Sequence, residues 1–262
     1  IEVESSNFEY GPGQIEINTG PADAMRTADN TVLFKSIVKQ VAVQHDLRAT
    51  FMPKPWTEAS GSGMHVHTSL SRDGENAFSS CDGAPDDLMA HWLGGLIEHA
   101  LALTFLGGPT SNGPRRIRPY TFAPTHVNWG LDNRTVLARC ICEADSVANR
   151  VEYRSAGADA HPHLIIAGIL AAGADGIGHS LSPGEMSTGD MYTNPGGCTP
   201  LPIDLATALA SFEGSKLSQL LGDTFARSYA SIAAHEVAHT AEHNPDPDAV
   251  SDWERQRLME HS

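Results

Sequence analysis

The chain has 262 residues, enough to bury a substantial core as one large domain or two small ones. Its 40% hydrophobic and 19% charged content is that of a globular protein, no apolar run reaches membrane-spanning length, and no signal peptide is visible. A net charge of −15 excludes general nucleic-acid binding, which needs a basic face.

Residues 2–18 predict two strands around the turn Gly11-Pro12-Gly13. Ile15 and Ile17 alternate with Gln14, Glu16 and Asn18, so Glu16 lies on the polar face, and Glu9 falls just before the turn. Two acids on a hairpin read either as solvated surface or as metal ligands. Residues 22–46 predict a helix whose Leu33, Ile37 and Val41 form a core-facing stripe. The glycines of Ser60-Gly61-Ser62-Gly63-Met64 suit a tight turn or a close ligand approach, and a strand follows with His65, His67 and Ser69 on one face. A histidine pair at i and i+2 on a strand is a metal signal.

A polar loop at 71–87 leads to a helix over 85–106, with Leu88, Trp92, Leu96 and Leu103 inward. The stretch 107–120 is a loop dense in Gly, Pro and Arg, and 121–142 predicts two strands joined at Gly130–Asn133. Strict alternation puts Arg134 and Arg139 on opposite faces; both reach one site only if Arg134 lies on the entering turn or the strand bulges. Cys140 and Cys142 share a face and read as small core residues of a reducing cytosol, with no paired-ligand spacing to Cys81 or Cys198. Residues 161–181 predict a buried helix with small residues for close packing, 183–202 a loop, and 203–213 and 215–243 two further helices.

Residues 115–154 concentrate seven arginines: Arg115, Arg116, Arg118, Arg134, Arg139, Arg150 and Arg154. Against the four acids Asp132, Glu143, Asp145 and Glu152 this leaves a local charge of +3, with −18 on the remainder. A guanidinium cluster inside an acidic protein suggests a clefted anion site, since guanidinium binds phosphate and carboxylate through paired hydrogen bonds. The alternating segment Val151-Glu152-Tyr153-Arg154 places Arg150, Glu152 and Arg154 on one face, and a carboxylate between two arginines suits a metal–phosphate site.

These segments carry a resemblance. Asn112-Gly113-Pro114-Arg115-Arg116, Ala123-Pro124, Asp132-Asn133-Arg134-Thr135 and Arg150–Arg154 resemble the glutamine synthetase family, and above all its γ-glutamylpolyamine synthetase-like γ-glutamyl–amine ligases. The resemblance covers nearly the whole chain, including the tail Val250–Arg257. It implies an α+β catalytic domain: a curved, mostly antiparallel sheet with helices packed outside. It also implies an ATP-dependent ligation in which the glutamate γ-carboxylate is phosphorylated and an amine or ammonia displaces phosphate. The implied metal ligands for Mg²⁺ or Mn²⁺ are Glu9, Glu16, His65 and Glu152. His67, Ser69, Arg134, Arg139 and Arg150 fall at the ATP positions, and Gly61, Arg116 and Arg154 at the glutamate positions. Arg134 and Glu152 are the implied catalytic residues, and Phe122 marks the amine site.

Three positions depart from the family pattern. Ser60 stands where Asn is common, Val147 where some members carry Lys, and Phe122 where ammonia-using members carry Glu. The chain starts at Ile1, so the expectation is a fragment, residues 1–262 of a C-terminal catalytic domain, with a smaller N-terminal domain and a further two-glutamate segment upstream. The complete protein is then expected to be a cytoplasmic homo-oligomer with its site between subunits, with no nucleic-acid or membrane partner, and the chain alone inactive.

Two other readings compete. His235-Glu236-Val237-Ala238-His239 fits the zinc-peptidase helix signature H-E-x-x-H, with His243 one turn on. It has neither the glycine nor the longer spacing of the three-histidine form, and thirteen histidines raise the odds of a chance match. The other is a non-catalytic module built on the ligase fold.

Overall fold

The computed structural model describes residues 1–262 except Asp82, Ala144, Asp145, Pro245, Pro247, Glu260 and His261. Asp145 of the arginine-rich segment and the side chain of Cys81 therefore lie outside the description. Strands β1 (Val3–Phe8) and β2 (Ile15–Thr19) pair antiparallel as the predicted hairpin, with Asn7 opposite Glu16 and Phe8 opposite Ile15. Its turn needs Gly13, at φ 71°, and the Gln14 side chain accepts from the Gly11 N–H at 2.9 Å. Gln14 also donates to the Gly61 carbonyl, which anchors the hairpin to the glycine-rich turn.

Helix α1 (Ala24–Gln44) starts where Asp23 caps the Arg26 N–H. The core expectation for its stripe is corrected here: Leu33, Ile37 and Val41 are exposed, and Ala28 is its buried residue. Ala28 and Lys35, seven residues apart, share the inward face. Lys35 donates to the carbonyl of Ala160 at 3.3 Å and to that of Ala158, so backbone carbonyls meet the inward face beside Ala28, and Phe34 packs edge-on against Phe51.

The central sheet has the order β3 (Val66–Thr68), β10 (Arg150–Tyr153), β9 (Ala138–Ile141), β8 (Trp129–Leu131). The β3–β10 and β10–β9 pairings are antiparallel; β8–β9 is parallel. The expected junction of the two strands at Gly130–Asn133 is thus corrected: Gly130 lies inside β8, and the connection to β9 is 132–137. The strands are so short that a six-residue return through 132–137 spans the way back, and a parallel pair forms without a helical crossover. Two small ladders interrupt the expected 71–87 loop: β4 (Ser71–Arg72) with β5 (Glu75–Asn76), and β6 (Ser80–Cys81) with β7 (Ala84–Pro85).

Val151 and Tyr153 point into the core with Cys140, and strand alternation sends Glu152 and Arg139 to the other face. Behind the sheet pack α2 (Asp87–Glu98), α3 (Ala100–Gly107) and α4 (Pro162–Gly178). The predicted 85–106 helix is broken at His99, whose imidazole is held by Asp175 at 2.9 Å. α2 and α4 touch backbone to backbone: a Cβ on Gly176 would sit 2.1 Å from the His91 carbonyl oxygen. The C-terminal part comprises α5 (Leu205–Phe212), α6 (Lys216–Leu221), α7 (Asp223–His243) and α8 (Asp252–Leu258). Gly222, at φ 96°, separates α6 from α7, so the expected 215–243 helix is two helices. No described helix is long and apolar enough to cross a membrane.

Candidate active site

Glu152 is the centre of the polar face. It is 2% exposed and lies opposite His67 on one side and Arg139 on the other. His65 Nδ1 lies 3.1 Å from its Oε1, Arg139 donates to Oε2 at 3.0 Å, and Arg154 donates to Oε1. Burial raises the Glu152 carboxyl, but the His65 hydrogen bond and the Arg154 charge outweigh it and hold the group well below the usual carboxylate range. Burial lowers the His65 imidazolium, which Glu152 only partly offsets, so His65 is neutral near pH 7. With Nδ1 turned to Glu152, its Nε2 lone pair is left for a cation. Imidazole and carboxylate together form a donor set that fits a divalent ion.

Arg116 comes from the short 3-10 turn Gly113–Arg116, where Pro114 starts the turn. It is buried and donates to the Ser155 carbonyl at 2.7 Å. Burial pushes its guanidinium down to about 10, still charged at neutral pH. A Cβ on Gly61 would meet the Pro53 carbonyl oxygen at 2.7 Å and Arg116 Cβ at 2.8 Å, and one on Gly63 would meet the Arg116 guanidinium at 2.6 Å and His65 Nε2 at 3.1 Å. Glycine at both positions lets the arginine and the imidazole approach the same backbone. The Nε atoms of Arg116 and Arg154 are buried and have no hydrogen-bond partner. Two orphaned, positively charged donors on neighbouring residues fit an anionic ligand. The Tyr192 hydroxyl is also buried and unpartnered, and burial raises its phenol against the pull of Arg154 and Arg116.

Asp159 lies behind Arg116. Burial raises its carboxyl to about 6, although Thr110 donates to it at 2.7 Å and Lys35 and Arg116 attract it. A carboxyl raised above its unfolded value of 3.8 costs stability when ionised, a cost fully present above pH 6 and lost as pH falls toward 3.8. Asp159→Asn is therefore expected to raise unfolding stability by about 1–3 kcal/mol at pH 7.5, a gain that vanishes near pH 4. Urea unfolding at the two pH values checks it; an equal difference at both would reject the account.

The other predicted site residues lie around this centre. Arg150 donates from Nε to His67 Nδ1 at 3.2 Å, and His67 Nε2 is 3.9 Å from Glu152. Arg139 also donates to Asp132 at 2.9 Å. Ser69 is exposed just beyond β3. Arg134 is exposed on the turn entering β9, the first of the two arrangements that sequence allowed, and lines an open hollow with Asn133 and Met186. Glu9 is exposed, and Glu16 accepts from Asn18 at 3.0 Å. Among the described residues, the carboxylates of Glu9 and Glu16 do not join His65 and Glu152 in a group of three donors within 4.8 Å.

Phe122 stacks on Tyr10, with ring centroids 4.4 Å apart, and lines a hollow with Trp56, Glu58, Ser60 and Tyr120. Tyr120 also packs on Tyr192 at 5.3 Å, so the aromatic hollow adjoins the arginine pair. Tyr120 and Phe122 both hold left-handed backbone, φ 61° and 64°, which bulky residues rarely adopt. Thr121 fixes that turn by donating to the Arg116 and Arg118 carbonyls. Sequence reasoning singled out Phe122 and missed Tyr10, Trp56, Glu58, Tyr120 and Tyr192. The aromatic spacing Tyr120–Phe122 was the available signal.

The peptidase reading is corrected. Glu236, its would-be general base, is buried and held by both terminal nitrogens of Arg257, at 2.9 Å for one of them. The tail has a structural part instead: Glu254 of α8 accepts from Arg115 Nε at 2.9 Å and so supports the turn that carries Arg116.

Comparison with known proteins agrees with this architecture. The family profile described as the glutamine synthetase catalytic domain matches residues 1–258. A glutamine synthetase of Halobacterium salinarum is 38% identical over 270 residues, covering 99% of this chain and 58% of the relative. The gamma-glutamylputrescine synthetase PuuA of Escherichia coli is 37% identical over 232 residues, covering 87% of this chain and 48% of the relative. Among solved structures, apo GmaS without ligand superposes with a TM-score of 0.84 at 35% identity, over 97% of this chain and 58% of that one. The chain thus spans less than two thirds of the length of these relatives, and across that span it belongs to the glutamine synthetase family, as a match to the family's catalytic domain.

Proposed function

We propose that the chain is the catalytic part of an ATP-dependent ligase that joins the glutamate γ-carboxylate to an amine through γ-glutamyl phosphate. The observation that carries this reading is the buried arginine pair, Arg116 and Arg154, with unpartnered Nε donors beside the Glu152–His65 contact. In this reading the pair grips the substrate α-carboxylate, as guanidinium forks do. Arg134 and Arg139 stabilise charge on the transferring phosphoryl group, and His67, Ser69 and Arg150 border the nucleotide. Glu152 and His65, with Glu9 and Glu16 from the hairpin, would hold Mg²⁺ or Mn²⁺, which supplies charge neutralisation at the phosphates.

The aromatic hollow around Phe122, with Glu58 as its carboxylate, favours an organic amine over ammonia: rings attract cations and alkyl chains, and a carboxylate pairs with an ammonium group. The complete protein in this reading is a cytoplasmic homo-oligomer, consistent with the free thiols Cys140, Cys142 and Cys198. The test is phosphate release by the complete protein with ATP, Mg²⁺, glutamate and a panel of amines including ammonium. Amine- and glutamate-dependent release is expected. Absence of turnover with every acceptor would favour a non-catalytic module on the same fold.

A further inference from the structure

The last turn of α7 carries a group of donors that the ligase reading does not use. His239, Glu242 and His243 each offer one ligand atom, and these atoms lie within 4.8 Å of one another. We propose that they form a transition-metal site, with zinc as its ligand, on the face of the molecule formed by α7 and α8. Three observations support it. First, two imidazoles at i and i+4 and an adjacent carboxylate are the donor types of three-ligand zinc sites, in which water takes the fourth position. Ligands on a tetrahedral zinc sit about 3.4 Å apart, so binding requires the His239 and Glu242 side chains to close on His243 from their spacing of within 4.8 Å.

Second, the His243 ring is already set. Its Nδ1 lies 2.9 Å from the His239 carbonyl oxygen, so N–H donation there leaves the Nε2 lone pair for a metal. Trp253 of α8 stacks on the same ring, with centroids 4.8 Å apart and planes at 15°, and meets His239 edge-on at 5.2 Å. Fixing a ligand ring in advance lowers the entropy lost on binding. Third, the site sits at the C-terminal end of a 21-residue helix, where the backbone dipole favours a cation.

The site is not the peptidase motif. That motif pairs His235 with His239 through Glu236, whereas the donor group lies a turn further on. His235 is outside it, its ring 6.1 Å from that of His239, and Glu236 belongs to Arg257. An aromatic staple between α7 and α8 accounts for His243 on Trp253 but not for the third donor. All three donors belong to α7, so a bound ion would hold the last turn of that helix, where Trp253 of α8 already packs on His239 and His243.

The test uses the untagged chain in excess magnesium, titrated with zinc chloride and followed by calorimetry and tryptophan fluorescence. The expected result is one zinc per chain, retained in His235→Gln. His243→Gln and His239→Gln should each weaken binding by at least the roughly ten- to hundredfold that losing even an outer partner costs. His243 is exposed, so glutamine there leaves the core undisturbed. Zinc a hundredfold above its Kd should raise the unfolding midpoint of the parent chain by about 5–10 °C, and that of His243→Gln by much less. No zinc binding, binding unchanged in both variants, or binding lost equally in His235→Gln would each overturn the site.

Discussion

Glu152→Gln is expected to remove most ligase turnover from the complete protein, by roughly 10²–10³-fold, and to destabilise the chain as well. The carboxylate is buried between Arg139, Arg154 and His65, and its charge offsets two guanidinia that burial would otherwise leave facing each other. Removing one partner of a buried ion pair costs about 3–5 kcal/mol. The loss here should fall at the lower end, because Arg139 keeps Asp132 as a partner and reaches solvent. Urea unfolding of the chain and phosphate release by the complete protein read the two effects separately. Unchanged stability would show that Glu152 does not compensate the arginines, and unchanged turnover would remove it from the catalytic machinery.

Phe122→Glu is expected to move acceptor preference from organic amines toward ammonium. A site for ammonium needs a negative group to hold the cation and accept its proton, and a phenyl ring cannot accept one. The ring instead attracts an alkylammonium by about 0.5–2 kcal/mol, and its stacking on Tyr10 beside Trp56 and Tyr120 gives an alkyl chain apolar surface to cover. The substitution removes one wall of the hollow and adds a second carboxylate near Glu58. The ratio of kcat/KM for the preferred amine to that for ammonium should fall about tenfold to a hundredfold. The proposal of an amine-selective site fails if the unmutated complete enzyme uses ammonium more efficiently than any amine in a broad panel. It also fails if Phe122→Glu leaves the ratio unchanged.

What the sequence by itself determined is what depends on local spacing. Alternation in Arg150–Tyr153 put Glu152 on the polar face and Val151 and Tyr153 in the core, because side chains along a strand alternate whatever the strand pairs with. The hairpin at Gly11–Gly13 and the glycines beside Arg116 were legible for the same reason: few residues other than glycine tolerate such backbone or such close approach. The helices from α1 to α7 were legible from their 3.6-residue period, though the breaks at His99 and Gly222 and the short helix α8 were not.

Only the tertiary structure decided which face of a helix is covered and which strands lie side by side. α1 carries an apolar stripe, yet its opposite, carbonyl-facing side turns inward, since periodicity marks a stripe without naming its partner. The parallel β8–β9 pairing placed Arg134 on a turn, and the meeting of Tyr10, Trp56, Tyr120 and Phe122 joined segments far apart in the chain. H-E-x-x-H marked a helix but not its chemistry: Arg257, twenty-one residues away, pairs with the glutamate, and the donors that lie together are His239, Glu242 and His243, one turn along. Long-range neighbours of this kind fix charge pairing and desolvation, and those set what a side chain can do.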